Sequence, residues 1–110
     1  MVKWLSESAR ADVTESVKAD GTLEIKVGPR TNQVWEVSQI SLEMPTAPAG
    51  ATAEIRDVMG ALMSPSYSAR RASASGTQYL NPGERLTIRW VNATPNDRGR
   101  VLALYRLGAP

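Results

Sequence analysis

The apolar positions of this chain alternate with polar ones, in short runs separated by turn residues. Thr22–Gly28 shows it best: Leu23, Ile25 and Val27 fall on one side, and Thr22, Glu24 and Lys26 on the other. A period of two is the signature of a half-buried strand. The longest run is Gln33–Met44. Trp35 and Val37 share one parity there, and Ile40, Leu42 and Met44 share the other. One bulge near Ser38–Gln39 puts all five on one face. Pro45 and Pro48 end the ladder, since proline has no N–H to donate. Gly50 is expected to turn the chain through a positive φ. Ala51–Asp57 then returns with Ala53 and Ile55 inward.

Upstream, Ala11–Ala19 alternates less cleanly. It reads as an edge strand, with a short helix as the alternative. Asp20-Gly21 is a turn signal that would join it to the next run as a hairpin. Downstream, Gly60 suits a tight turn leading to a short strand through Met63. Met59 and Met63 read as core filler rather than a plastic binding surface. Ser66–Thr77 has small residues and no period, and reads as a long surface loop. Asn81-Pro82-Gly83 is a turn. Glu84–Val91 is a strong strand with Leu86, Ile88 and Trp90 on one face. Trp35 and Trp90 are the expected core anchors, because the chain has no Phe to supply comparable apolar area. Arg100–Leu107 is apolar on both faces, so it sits centrally or under a neighbouring chain. Seven or eight such strands predict an all-β fold, an antiparallel sandwich or jelly roll. Residues 1–10 are expected as an extended arm and 11–110 as a single sandwich domain.

Composition narrows the chemistry. The chain has 110 residues, a size that builds one domain. It has no Cys and no His, so Ser-His and Cys-His nucleophile pairs are excluded, as are zinc sites that need those ligands. The acidic residues are spread singly, each near a Lys or Arg, which reads as a solvated exterior of weak ion pairs. No glycine-rich phosphate loop is present. No apolar run approaches the length that spans a bilayer. Met1–Arg10 has no apolar h-region, so a cytoplasmic start is expected. An enzyme is not expected, and neither is a cofactor, a metal or a membrane partner. The net charge is +2, with ten Arg among thirteen cations. Arg favours bidentate pairs at interfaces. Arg70 and Arg71 read either as a solvated loop pair or as a contact to an acidic protein partner; without aromatic neighbours they make no nucleic-acid signature. Met1–Arg10 reads either as a frayed terminus or as an arm whose Trp4, with Leu5 beside it, docks on a neighbouring subunit, since Trp is enriched at interface hot spots.

Two segments carry a resemblance. Val34–Asp57 holds Trp35-Glu36-Val37, the corner Pro45–Ala51, and Glu54-Ile55-Arg56. Leu80–Arg106 holds Pro82-Gly83, Trp90 and the run Thr94–Gly99. Together they resemble a family of small structural proteins of tailed bacteriophages of actinobacterial hosts. Met1–Lys26 lies outside the resemblance, and Gly60–Thr77 departs from it. The resemblance implies a virion protein without catalysis, made in the host cytoplasm. The favoured role is a head decoration (cement) protein on the capsid surface. It would stabilise contacts between major capsid protein subunits, often as a homotrimer at three-fold positions. Trp4, Leu5, Arg70 and Arg71 are the candidate partner-binding residues. The alternative is a tail or head-fibre component binding host-surface carbohydrate, with Tyr67 and Tyr79 as its exposed aromatics. A host-encoded interaction domain is the third class.

Overall fold

The computed structural model describes residues 1–63 and 68–110. Seven strands form two antiparallel sheets. They are β1 (Lys3–Ser16), β2 (Leu23–Val27), β3 (Val34–Glu43), β4 (Thr52–Arg56), β5 (Arg71–Leu80), β6 (Leu86–Val91) and β7 (Arg98–Ala109). The larger sheet has the order β1-β7-β3-β5 and the smaller one β2-β6-β4. The architecture is an all-β sandwich, as the alternation predicts.

The core forms where the inner faces meet. Leu23, Ile25 and Val27 enter it from β2, Leu86, Ile88 and Trp90 from β6, and Ile55 from β4. Trp35, Val37, Ile40, Leu42 and Met44 are all buried on the facing sheet. That single face requires the bulge: β3 shifts register between Val37 and Gln39 against both β5 and β7. Trp90 crosses the gap between sheets. A Cβ on Gly99 of β7 would lie 3.2 Å from its Cη2 and 2.6 Å from Leu23 Cδ2, so a glycine there lets the sheets close. β7 lies between β1 and β3, centrally in its sheet; Val101 and Ala103 of its inner face are buried, whereas Leu104 of its outer face is exposed.

Several expectations are corrected. The Asp20-Gly21 turn exists, with Gly21 at φ +82° and Thr22 N donating to Asp20 Oδ1 at 3.0 Å. It does not make a hairpin. β1 pairs with β7 and β2 with β6, so the turn carries the chain from one sheet to the other. Residues 3–10, expected as an arm, continue β1, which pairs with β7 from Lys3↔Ala109 to Ser16↔Arg98. Trp4 folds back because Gly108 leaves space under its ring. The loop expected over Ser66–Thr77 contains the start of β5. Ala72 and Ala74 point inward there, and Ser73 and Ser75 outward. Gly50 does not have a positive φ. Successive turns, Ala47 N to Met44 O and Ala51 N to Pro48 O, make that corner instead. Gly60 does turn the chain at φ +83°, but among the described residues an isolated Arg56↔Leu62 bridge follows in place of a strand. Met63 packs on the core, whereas Met59 is 86% exposed.

Candidate partner-binding surface

The outer face of the four-stranded sheet carries Trp4 and Arg71, two of the residues singled out in the sequence. Its side chains stand in rows across the strands, because opposite residues in an antiparallel pair share a face. At one end Trp4 of β1 lies over Gly108 and Val34. The next row places Arg106 beside Glu36 and Tyr79. The Arg106 guanidinium sits 3.7 Å from the centroid of the Trp4 ring, and Tyr79 meets Trp4 edge-on at 6.5 Å. A cation over an indole face is attracted by the ring quadrupole. Glu7 and Glu36 flank the same guanidinium at 3.4 and 3.8 Å. Those contacts are electrostatic, since Arg106 Nε has no hydrogen-bond partner. Leu5, next along β1, is 59% exposed.

At the other end of the sheet, Arg100, Glu43 and Arg71 form one row across β7, β3 and β5. Arg100 donates to Asp12 from Nε and Nη2, at 2.9 and 2.7 Å. This bidentate hydrogen bonding holds the Asp12 carboxyl below the ordinary aspartate range and raises the Arg100 guanidinium. A shallow depression lies here, lined by Gln39, Ser41, Glu43, Arg71, Ser73 and Arg100. Arg70 has a structural task. Its Nε donates to Ala47 O at 2.8 Å, and its own carbonyl accepts Met44 N at 2.9 Å, which clamps the proline corner.

The four candidate residues thus fall into two groups at opposite ends of one sheet. Trp4 and Arg70 spend their side chains within the chain; Leu5 and Arg71 present theirs to solvent. Sequence reasoning missed Arg106 and Arg100, because each gains its partner from β1 across almost the whole chain. Tyr79 is 43% exposed, and Tyr67 lies outside the described residues.

The second sheet repeats the weak-pair pattern. Arg56 hydrogen-bonds Glu54 at 2.9 and 3.1 Å, which lowers the Glu54 carboxyl below its ordinary range. Burial raises the Tyr105 hydroxyl, whose ring stacks on Trp35 at 3.8 Å. Among the described residues, no polar or charged residue is buried and no cluster of carboxylates is arranged to hold a metal ion. No helix of the described residues is long and apolar enough to cross a membrane.

The fold belongs with all-β sandwiches, and it resembles proteins of phage capsids. It is similar to a chain in the acid-stable capsid structure of Helicobacter pylori bacteriophage KHP30, with a TM-score of 0.56. The identity is 14%, covering 96% of this chain and 93% of that one. A chain of the cyanophage Pam1 capsid asymmetric unit aligns at 17% identity and a TM-score of 0.47, over 99% and 85%. At such identities the likeness is one of fold. No family model matches the sequence, and no curated protein does.

Proposed function

We propose that this chain is a structural protein of a phage virion, a decoration protein that binds the outside of the head. The observation that carries the reading is the fold likeness to the KHP30 capsid chain, which runs almost end to end in both proteins. The sequence resemblance to tailed-phage structural proteins points the same way. An exterior of paired charges over an apolar core fits a protein that works by contact. Its partner under this reading is the major capsid protein, and the contacts are non-catalytic. Leu5 and Arg71 are the free members of the two candidate groups and the contact residues this reading names.

Reconstitution tests it. Purified chain is added to capsids assembled without it, and the particles are pelleted. Saturable co-sedimentation is expected, reduced about tenfold in affinity by combining Leu5→Asp with Arg71→Glu, the effect of losing interface contacts of ordinary strength. Wild-type chain that stays in the supernatant at every concentration overturns the reading. The carbohydrate alternative is less well served. The Trp4 ring face is occupied by Arg106, which leaves Tyr79 as the exposed aromatic on this sheet face.

A further inference from the structure

We propose that the free edge of β1 is a self-association site, where β1 of a second copy pairs antiparallel around a two-fold axis at Ala11. The sheet order leaves β1 as an edge along fourteen residues. An unpaired edge displays a row of N–H and C=O groups ready for another strand, and proteins usually blunt such edges with Pro, Lys, bulges or short strands. The remaining edges are blunted. β2 and β4 have five residues each, and β5 is broken by Gly76 at φ +116°. β1 is irregular only between Trp4 and Ala9. From Ala9 to Ser16 its register with β7 is unbroken, and that segment has no Pro, Gly or Lys.

The charge pattern selects the partner and the register. With Ala11 opposite Ala11 of the second copy, Arg10 faces Asp12 of the second copy, and the symmetry repeats the pair. Both residues lie on the outer face, so the pairs line up with the Asp12–Arg100 bridge already present in each copy. On the inner side Ala9 meets Val13 of the second copy, which extends the half-buried Ala11 and Val13 surface. Centring on Asp12 or Arg10 sets like charges against each other. Centring on Ala9 or Val13 brings no opposite charges together within Ala9–Val13. The result is one continuous eight-stranded sheet that ends on the two broken β5 edges and does not grow further. A contact this small belongs to the weak, transient class.

This inference goes beyond the virion reading and does not rest on it. The contact is two-fold, unlike the three-fold clustering that the resemblance implies. The chain has no native cysteine, so an introduced one reports the contact cleanly. Across an antiparallel pair, Cβ atoms at opposite positions are about 4.5–5.5 Å apart, near the span of a disulfide. Ala11→Cys in the full chain is expected to form a disulfide-linked dimer under mild oxidant. Val13→Cys alone puts its two thiols roughly 13 Å apart along the strands and is expected to cross-link at least about tenfold more slowly. Mixing Ala9→Cys chains with Val13→Cys chains restores cross-linking. Adding Arg10→Asp to Ala11→Cys sets like charges opposite and is expected to slow the reaction about tenfold. Circular dichroism of each variant confirms the fold. Equal rates for Ala11→Cys and Val13→Cys overturn the proposal, as does a trimer in which Ala11→Cys does not cross-link.

Discussion

Trp90→Ala is expected to remove a large part of the stability of this domain. Trp90 is the largest fully buried side chain and lies next to the end of β6, between Leu23 of β2 and Ala53 of β4. Its indole reaches across to Gly99 of the other sheet. Its Nε1 donates to Ala69 O at 2.9 Å, which ties down the approach to β5. Truncation opens a cavity between the sheets and leaves that carbonyl without its donor. Loss of a buried Trp costs about 3–5 kcal/mol. A domain of this size has ~5–15 kcal/mol in all. Thermal unfolding should fall by roughly 15 °C. Trp90→Phe keeps one aromatic ring but loses the N–H and the second ring, so it should lose about 1–3 kcal/mol for the unmet carbonyl on top of a smaller cavity than alanine leaves. A Trp90→Ala protein that melted within a few degrees of wild type would mean the sheets are not held together through this residue.

Gly28→Ala is expected to be nearly as damaging, for a different reason. Gly28 follows β2 and does not have a positive φ, so the backbone conformation suits alanine. Space is the obstacle: an added Cβ overlaps the backbone carbonyl oxygen of Glu84. That carbonyl sits in a turn fixed from several sides. Glu84 N donates to Asn81 O at 3.0 Å, Gly83 N donates to Pro29 O, and Arg85 Nη1 bridges Pro29 O and Glu84 O. The strain therefore moves backbone where the end of β2 meets the start of β6. Overpacking that shifts backbone costs about 3 kcal/mol at the upper end of its usual range. Gly50→Ala is the control. Nothing lies within 4 Å of the added Cβ, and the φ is not positive. That change should be neutral or stabilise by about 0.4–1 kcal/mol through the unfolded chain. Chemical denaturation of the two variants beside wild type gives the comparison.

Strands with large apolar side chains were legible from sequence, because alternation of Leu, Ile, Val and Trp announces both the strand and its buried face. The β3 bulge was legible for the same reason: the parity of its apolar residues changes after Val37. β5 was not. Ala72, Ser73, Ala74 and Ser75 alternate as strictly as any strand, but alanine and serine differ too little in apolar area for the pattern to stand out. Pairing with β3 overrides their weak strand preference. The Asp20-Gly21 turn was visible while its consequence was not. A turn sets local geometry, but partner choice depended on which face Leu23, Ile25 and Val27 had to bury. Met59 looked like core filler, yet it sits at a turn tip where Asp57 Oδ1 accepts from Met59 N and Ala61 N.

The candidate surface was half legible. Trp4, Leu5 and Arg71 were flagged by residue type and lie on one sheet. Their neighbours Arg106, Tyr79 and Arg100 come from strands distant in the chain, and only the register brings them together. Nothing local to Arg70 reveals that its guanidinium also holds Ala47 O.

The virion reading is tested most directly by counting. Quantitative mass spectrometry of purified virions measures this chain against the major capsid protein. A ratio near one to one is expected for a decoration protein spread over the head lattice. A few copies per hundred capsid subunits would move it to the tail or a fibre, and its absence from the particles would contradict a virion role.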